Sequence, residues 1–135
     1  VLTENPFIIG KKIIDSIKKD VDIIIVDFHA EASAEKVAMG NYLDGFATIV
    51  YGTHTHVQTA DEVIYDSGMG YITDVGMTGP VNSIIGMDVN AALKRFLTQI
   101  PERYACATGE TMLNGVAFCF DENSKRVSKI ERINI

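Results

Sequence analysis

The sequence predicts an α/β fold, and three patterns carry that reading. Short β-branched apolar runs recur between residues 21 and 75, segments with helical apolar spacing alternate with them, and the chain ends in two strand-like runs around a polar turn. Ile8, Ile9, Ile13, Ile14 and Ile17 recur at helical spacing with lysines between them, so an amphipathic first helix is expected, ending near Asp20. Val21 to His29 is a continuous β-branched run, as in a strand buried on both faces of a sheet. Ser33 to Tyr42 predicts a second helix, with Ser33 as its N-cap and Val37 and Leu43 among its apolar positions.

Phe46 to Tyr51 predicts a second strand, which breaks into Gly52-Thr53-His54-Thr55-His56. Gly70 to Val75 predicts a third, followed by a loop containing Gly76, Gly79, Pro80 and Gly86. Asp88 is the expected N-cap of a helix carrying Ala92, Leu93, Phe96, Leu97 and Ile100, which Pro101 closes. Met112 to Phe120 and Val127 to Ile135, separated by a polar turn at Asp121 to Lys125, predict a terminal antiparallel hairpin.

With 135 residues the chain has the size of one domain. The 12 Lys and Arg against 18 Asp and Glu disfavour broad nucleic-acid binding, which needs a clustered basic surface. No run is long enough to span a bilayer, and Val1 to Gly10 has neither a basic stretch nor a signal-type cleavage site. Cys106 and Cys119 lack paired spacing, so reduced, buried thiols in a cytoplasmic protein are expected.

All three histidines, His29, His54 and His56, directly follow predicted strands. Ligands in open α/β folds gather at the carboxyl ends of strands, so the three can converge. In extended backbone, His54 and His56 project to one face with Cα atoms about 6.5 Å apart. That spread suits two ions roughly 3.5–4 Å apart, each taking one imidazole, and imidazole suits Mn, Fe or Zn. Asp27, Glu31, Asp61 and Asp74 are the nearby oxygen candidates. Asp27 and Glu31 flank His29 and are expected to hold an imidazole tautomer from behind, although Glu31 equally suits the start of the next helix. Thr53 and Thr55 are expected to orient the loop, and Asp61 is a further outer-sphere candidate. The histidines are thus short of oxygen ligands.

Val26-Asp27-Phe28-His29-Ala30-Glu31-Ala32, Tyr42-Leu43-Asp44-Gly45, Gly52-Thr53-His54-Thr55-His56-Val57-Gln58-Thr59-Ala60-Asp61, Tyr71-Ile72-Thr73-Asp74-Val75-Gly76-Met77-Thr78-Gly79 and Ile85-Gly86-Met87-Asp88 closely resemble the YmdB-like bacterial metallophosphoesterases of the calcineurin-like superfamily. The resemblance runs in order through Lys94-Arg95-Phe96-Leu97 and Asn114-Gly115-Val116. It implies the C-terminal half of a metallophosphoesterase α/β sandwich, with residues 1–135 as the later part of one domain whose N-terminal half is its partner. It also implies a two-metal phosphodiesterase acting on small phosphodiesters, with 2',3'- and 3',5'-cyclic nucleotides as the substrate class. His29 and His54 would ligate one divalent ion and His56 the other. The family's remaining ligands, an Asp, a bridging Glu and Asn residues, and its general-acid His come from the N-terminal half, so no catalytic acid is expected in this chain. Phe46 stands where the family has Arg.

The alternative is a non-catalytic metal-binding or assembly module that keeps the histidines and contacts a partner through its sheet and hairpin. In either case a symmetric homo-oligomer is expected, because an open sheet edge needs cover.

Overall fold

A computed structural model describes residues 4–135. Its elements are α1 (Pro6–Ile17), β1 (Ile25–His29), α2 (Ser33–Leu43), β2 (Ile49–Thr53), β3 (Val63–Ile64), β4 (Gly70–Ile72), β5 (Thr78–Pro80), α3 (Val89–Thr98), β6 (Thr111–Phe120) and β7 (Val127–Asn134). The first sheet has the order β1-β2-β4-β3, with β1, β2 and β4 parallel and β3 antiparallel. The second is the antiparallel β5-β6-β7, so the α/β class and the terminal hairpin are as the sequence predicts.

Neighbouring residues of β4 define the layers. A Cβ on Gly40 of α2 would lie 2.6 Å from the Tyr71 ring, whereas a Cβ on Gly70 would meet Phe118 and Val127 of the hairpin. Tyr71 therefore faces the helices and Gly70 the second sheet, giving a helical layer, the mixed first sheet and the antiparallel second sheet in that order. Ile14, Met39, Leu43, Val50, Met69 and Tyr71 form the core between helices and first sheet. Gln58 joins the two sheets, its amide donating to the carbonyls of Val75, Gly115 and Ile133.

Several elements differ from the sequence reading for identifiable reasons. β1 is an edge strand with one neighbour, so Ile25, Asp27 and His29 are exposed and only Val26 and Phe28 turn toward the core. It is not the doubly covered strand that its composition suggests. In α1, Asn5 caps Phe7 N–H and Pro6 occupies the first turn, but of the isoleucine stripe Ile14 alone is buried. Ser33 is the first residue of α2 and Ala32 occupies the N-cap without a side-chain bond. Val37 is exposed, and the buried stripe is Lys36, Met39, Gly40 and Leu43.

Asp88 does cap α3, accepting from Ala91 N–H, while Gln99 in a left-handed conformation ends the helix before Pro101. Of its predicted apolar face only Ala92 is buried. β3 and β5, of two and three residues, are too short to leave a periodic signal. Cys106 and Cys119 are free thiols, but both are exposed rather than small buried hydrophobes. Among the described residues no helix is long and apolar enough to cross a membrane.

Candidate metal centre

Parallel pairing of β1 with β2 places His29 opposite Thr53, which brings the carboxyl ends of both strands together. Asp27 and His29, two apart on β1, share its exposed face. From there a chain of polar contacts leads to the imidazoles. Thr53 Oγ1 donates to Asp27 Oδ1 at 2.9 Å and lies 3.0 Å from His29 Nδ1. An ionised carboxylate only accepts, so the single hydroxyl proton goes to Asp27 and the hydroxyl oxygen accepts from His29 Nδ1–H. His29 Nε2 is therefore the nitrogen with the free lone pair.

That nitrogen points at His54. His29 Nε2 and His54 Nδ1 are 3.1 Å apart, with the rings edge to face at a centroid distance of 4.9 Å. Two imidazole nitrogens bound to one ion at about 2.0–2.1 Å, with angles between square and tetrahedral, lie roughly 2.9–3.4 Å apart. The pair thus fits a shared transition-metal ion. With Nδ1 of His29 protonated, His54 Nδ1–H donates to His29 Nε2.

His56 stands apart from this pair. Its Nδ1 donates to the Ile85 carbonyl at 2.7 Å, which leaves Nε2 as the nitrogen free to bind a cation. β2 ends at Thr53, and His54 (φ 111°) and His56 (φ 66°) both have positive φ, so the extended spacing expected for the two does not hold. Ile85 also has positive φ, at 48°. Three non-glycine residues in sparsely populated conformations around one site are backbone strain of the kind that functional loops retain.

The loop is held from beneath by Lys36, which sequence reasoning missed, and by Asp74, which it named only as an oxygen candidate. Lys36 and Asp74 form a fully buried ion pair at 2.7 Å, and Lys36 Nζ also donates to the Thr53 carbonyl. Asp74 further accepts from the backbone N–H groups of Thr55 and Gly76. Burial pushes the Asp74 carboxyl up, but these hydrogen bonds, led by Lys36, outweigh it and hold the pKa below the ordinary aspartate value. With its oxygens so engaged, Asp74 serves as the loop's anchor and not as an oxygen ligand. A Lys in the 36/39/40/43 stripe was the available signal, since that spacing puts it on the buried face.

Gly52 has no room for a side chain. A Cβ there would lie 1.9 Å from the Thr73 carbonyl oxygen and 2.4 Å from Lys36 Cδ. Asp61 directs its carboxylate to the backbone and hydroxyl of Thr73, not to a histidine, and these contacts together with Thr59 lower its pKa against the effect of burial. Thr55 Oγ1 donates to the Val57 carbonyl, and Glu31 is exposed ahead of α2. Among the described residues no three His, Cys, Asp or Glu side chains converge into a metal-holding group. The site here is two facing imidazoles with a third two residues along the loop, and the carboxylate on their face, Asp27, is engaged by Thr53.

Comparison with known proteins places the chain in a family. The chain is 50% identical over 132 residues to the 2',3'-cyclic-nucleotide 2'-phosphodiesterase of Bacillus subtilis, covering 98% of this chain and 50% of that protein. A crystal structure of a phosphatase from Mycoplasma pneumoniae superposes with a TM-score of 0.92 at 44% identity, covering 99% of this chain and 47% of that one. A hypothetical protein from Thermus thermophilus gives 0.88 at 36% identity, covering 98% and 51%. The chain therefore spans about half the length of the curated relatives it matches. The model of the YmdB-like proteins matches residues 1–133, and the chain belongs to the YmdB-like family.

Proposed function

We propose that these residues are the later half of a single metallophosphoesterase domain, and that the whole protein is a two-metal phosphodiesterase of small diesters, with 2',3'- and 3',5'-cyclic nucleotides as its substrate class. The observation that carries this reading is the 3.1 Å approach of His29 Nε2 to His54 Nδ1 at adjacent strand ends, with the His29 tautomer fixed by Thr53 and Asp27. The name of the Bacillus subtilis relative supports the substrate class.

In this reading His29 and His54 hold one divalent ion and His56 holds the other. The earlier half brings the Asp, the bridging Glu, the Asn ligands and the general-acid His. Two such ions, when bound, neutralise phosphoryl oxygens and activate water for in-line attack on phosphorus. The residues of this chain orient the imidazoles: Thr53 and Asp27 hold His29, the Ile85 carbonyl holds His56, and the Lys36–Asp74 pair fixes the loop between them. Mn, Fe and Zn all suit such donors. The two unpaired thiols fit a cytoplasmic setting.

Metal analysis and diesterase assays on the full-length protein test the proposal. Two divalent ions per protein are expected, with hydrolysis of a nucleoside 2',3'-cyclic phosphate. His29→Ala and His54→Ala are each expected to lose one ion and nearly all turnover. Full metal content and activity in both variants would overturn it.

A further inference from the structure

His56 borders two cavities. The larger, about 460 Å³, is lined by polar groups that already serve one another. Gln58 and Asn114 donate to backbone carbonyls, Asn134 donates to Asn114, and Arg132 is paired with Glu62. The other, about 210 Å³, lies between the His56 loop and α3 and differs in kind. Ile84, Met87, Arg95, Phe96 and Tyr104 enclose it together with His56.

The floor of the smaller cavity is tied down. Ile84 and Met87 exchange backbone hydrogen bonds at 2.9 and 3.0 Å, Asp88 N–H donates to Ala105, and Ala107 N–H donates to Gly86. The Lys94–Glu102 ion pair links α3 to the segment that carries Tyr104. On this fixed base two aromatic walls stand in solvent: Phe96 is 71% exposed and Tyr104 60%. Arg95, beside them, takes part in no ion pair among the described residues. Two exposed aromatic faces with an unpaired guanidinium and a methionine floor suit a flat heteroaromatic ring, which stacks on the former and offers polar edge atoms to the latter.

Size narrows the occupant. Pockets that take a whole small ligand measure roughly 300–1,000 Å³, so this one accommodates part of a ligand. His56 is one of the residues that line it, so the cavity adjoins the histidine loop. We infer that the cavity receives the base of a nucleotide diester whose phosphate lies at the histidines, with Phe96 and Tyr104 as stacking walls and Arg95 facing the ring edge. The inference rests on the diesterase reading and extends it: these residues set the preference for nucleotide over base-free diesters.

The test compares two substrates on the full-length, metal-loaded protein, a nucleoside 2',3'-cyclic phosphate and ethylene phosphate, a cyclic diester without a base. Phe96→Ala and Tyr104→Ala are expected to raise KM for the nucleotide roughly five- to a hundredfold, the range of one stacking contact. Little change in kcat and none with ethylene phosphate are expected, and Phe96→Trp should restore the nucleotide KM. Equal losses on both substrates, or none on either, overturn the inference. NMR titration with adenosine reads the cavity without turnover, and shifts around Phe96 and Tyr104 that vanish in Phe96→Ala are expected. A protein that cleaves ethylene phosphate but shows no such shifts refutes the base site and leaves the diesterase reading intact. One that shows the shifts but cleaves neither diester refutes the diesterase reading and leaves the ring site standing.

Discussion

Thr53 sits between a carboxylate and an imidazole, so its hydroxyl proton decides which nitrogen of His29 can bind a cation. Thr53→Val keeps the shape of the side chain and removes that proton, leaving His29 free to take either tautomer. Metal affinity of the full-length protein should fall about 10- to 100-fold, the usual effect of losing a group that supports a ligand, while Thr53→Ser should retain it. Isothermal titration with Mn or Zn checks this, and an unchanged affinity in Thr53→Val would remove Thr53 from the site. Gly52, one residue earlier, is limited by space. Gly52→Ala drives a methyl into the Thr73 carbonyl at 1.9 Å, so a loss of roughly 3 kcal/mol or more is expected in urea unfolding. The histidines were legible because each follows a hydrophobic run, a pattern local in sequence. The Asp27–Thr53–His29 chain needs the register of two strands, and no single segment of sequence contains it.

At the scale of elements, α2 joins the helical layer to the site through one charged side chain. Its stripe places Lys36 under the loop after β2, where Asp74 from beyond β4 meets it out of solvent. Removing one member of a buried pair leaves the other uncompensated, so Lys36→Met should cost about 3–5 kcal/mol. Asp74 has its pKa below the ordinary aspartate value in the fold, so the unfolded chain takes up protons first as pH falls. Its contribution is complete above about pH 4 and is lost as pH drops through the depressed native pKa. Asp74→Asn should therefore lower stability at neutral pH and flatten its decline toward acid, as measured by urea unfolding at stepped pH. Retention of the wild-type acid slope would assign that slope to other carboxylates such as Asp61, which is depressed in the same direction. The helices and the hairpin were readable because each of their elements runs over eight or more residues, long enough to leave a local pattern. Burial was less readable: the isoleucines of α1 and the apolar face of α3 follow helical spacing, yet spacing does not specify what lies against a face.

At the scale of the whole molecule, the fold joins two imidazoles, holds a third on the same loop, and supplies among the described residues none of the oxygen donors that the two proposed ions would require. The first sheet presents His29 from the end of β1 and His54 from just past the end of the adjacent parallel β2, and the loop before α3 orients His56 from a different direction. Zinc takes four ligands and manganese commonly six, so in the proposed arrangement two nitrogens on one ion and one on another would leave most positions to water. Water does not offset the repulsion between two nearby dications, a task that bridging carboxylates perform, and the described residues bring no group of three metal-holding side chains together. The 135-residue chain by itself should therefore bind a single divalent ion, weakly, at His29 and His54. It should also leave bis-p-nitrophenyl phosphate uncleaved with added Mn, whereas turnover is expected of the full-length protein. Binding is read by titration calorimetry with His29→Ala as the blank, and cleavage by release of nitrophenolate. Turnover by the isolated chain above that of Mn alone would show that these three histidines suffice, and the division of the active site between two halves of the protein would then be wrong.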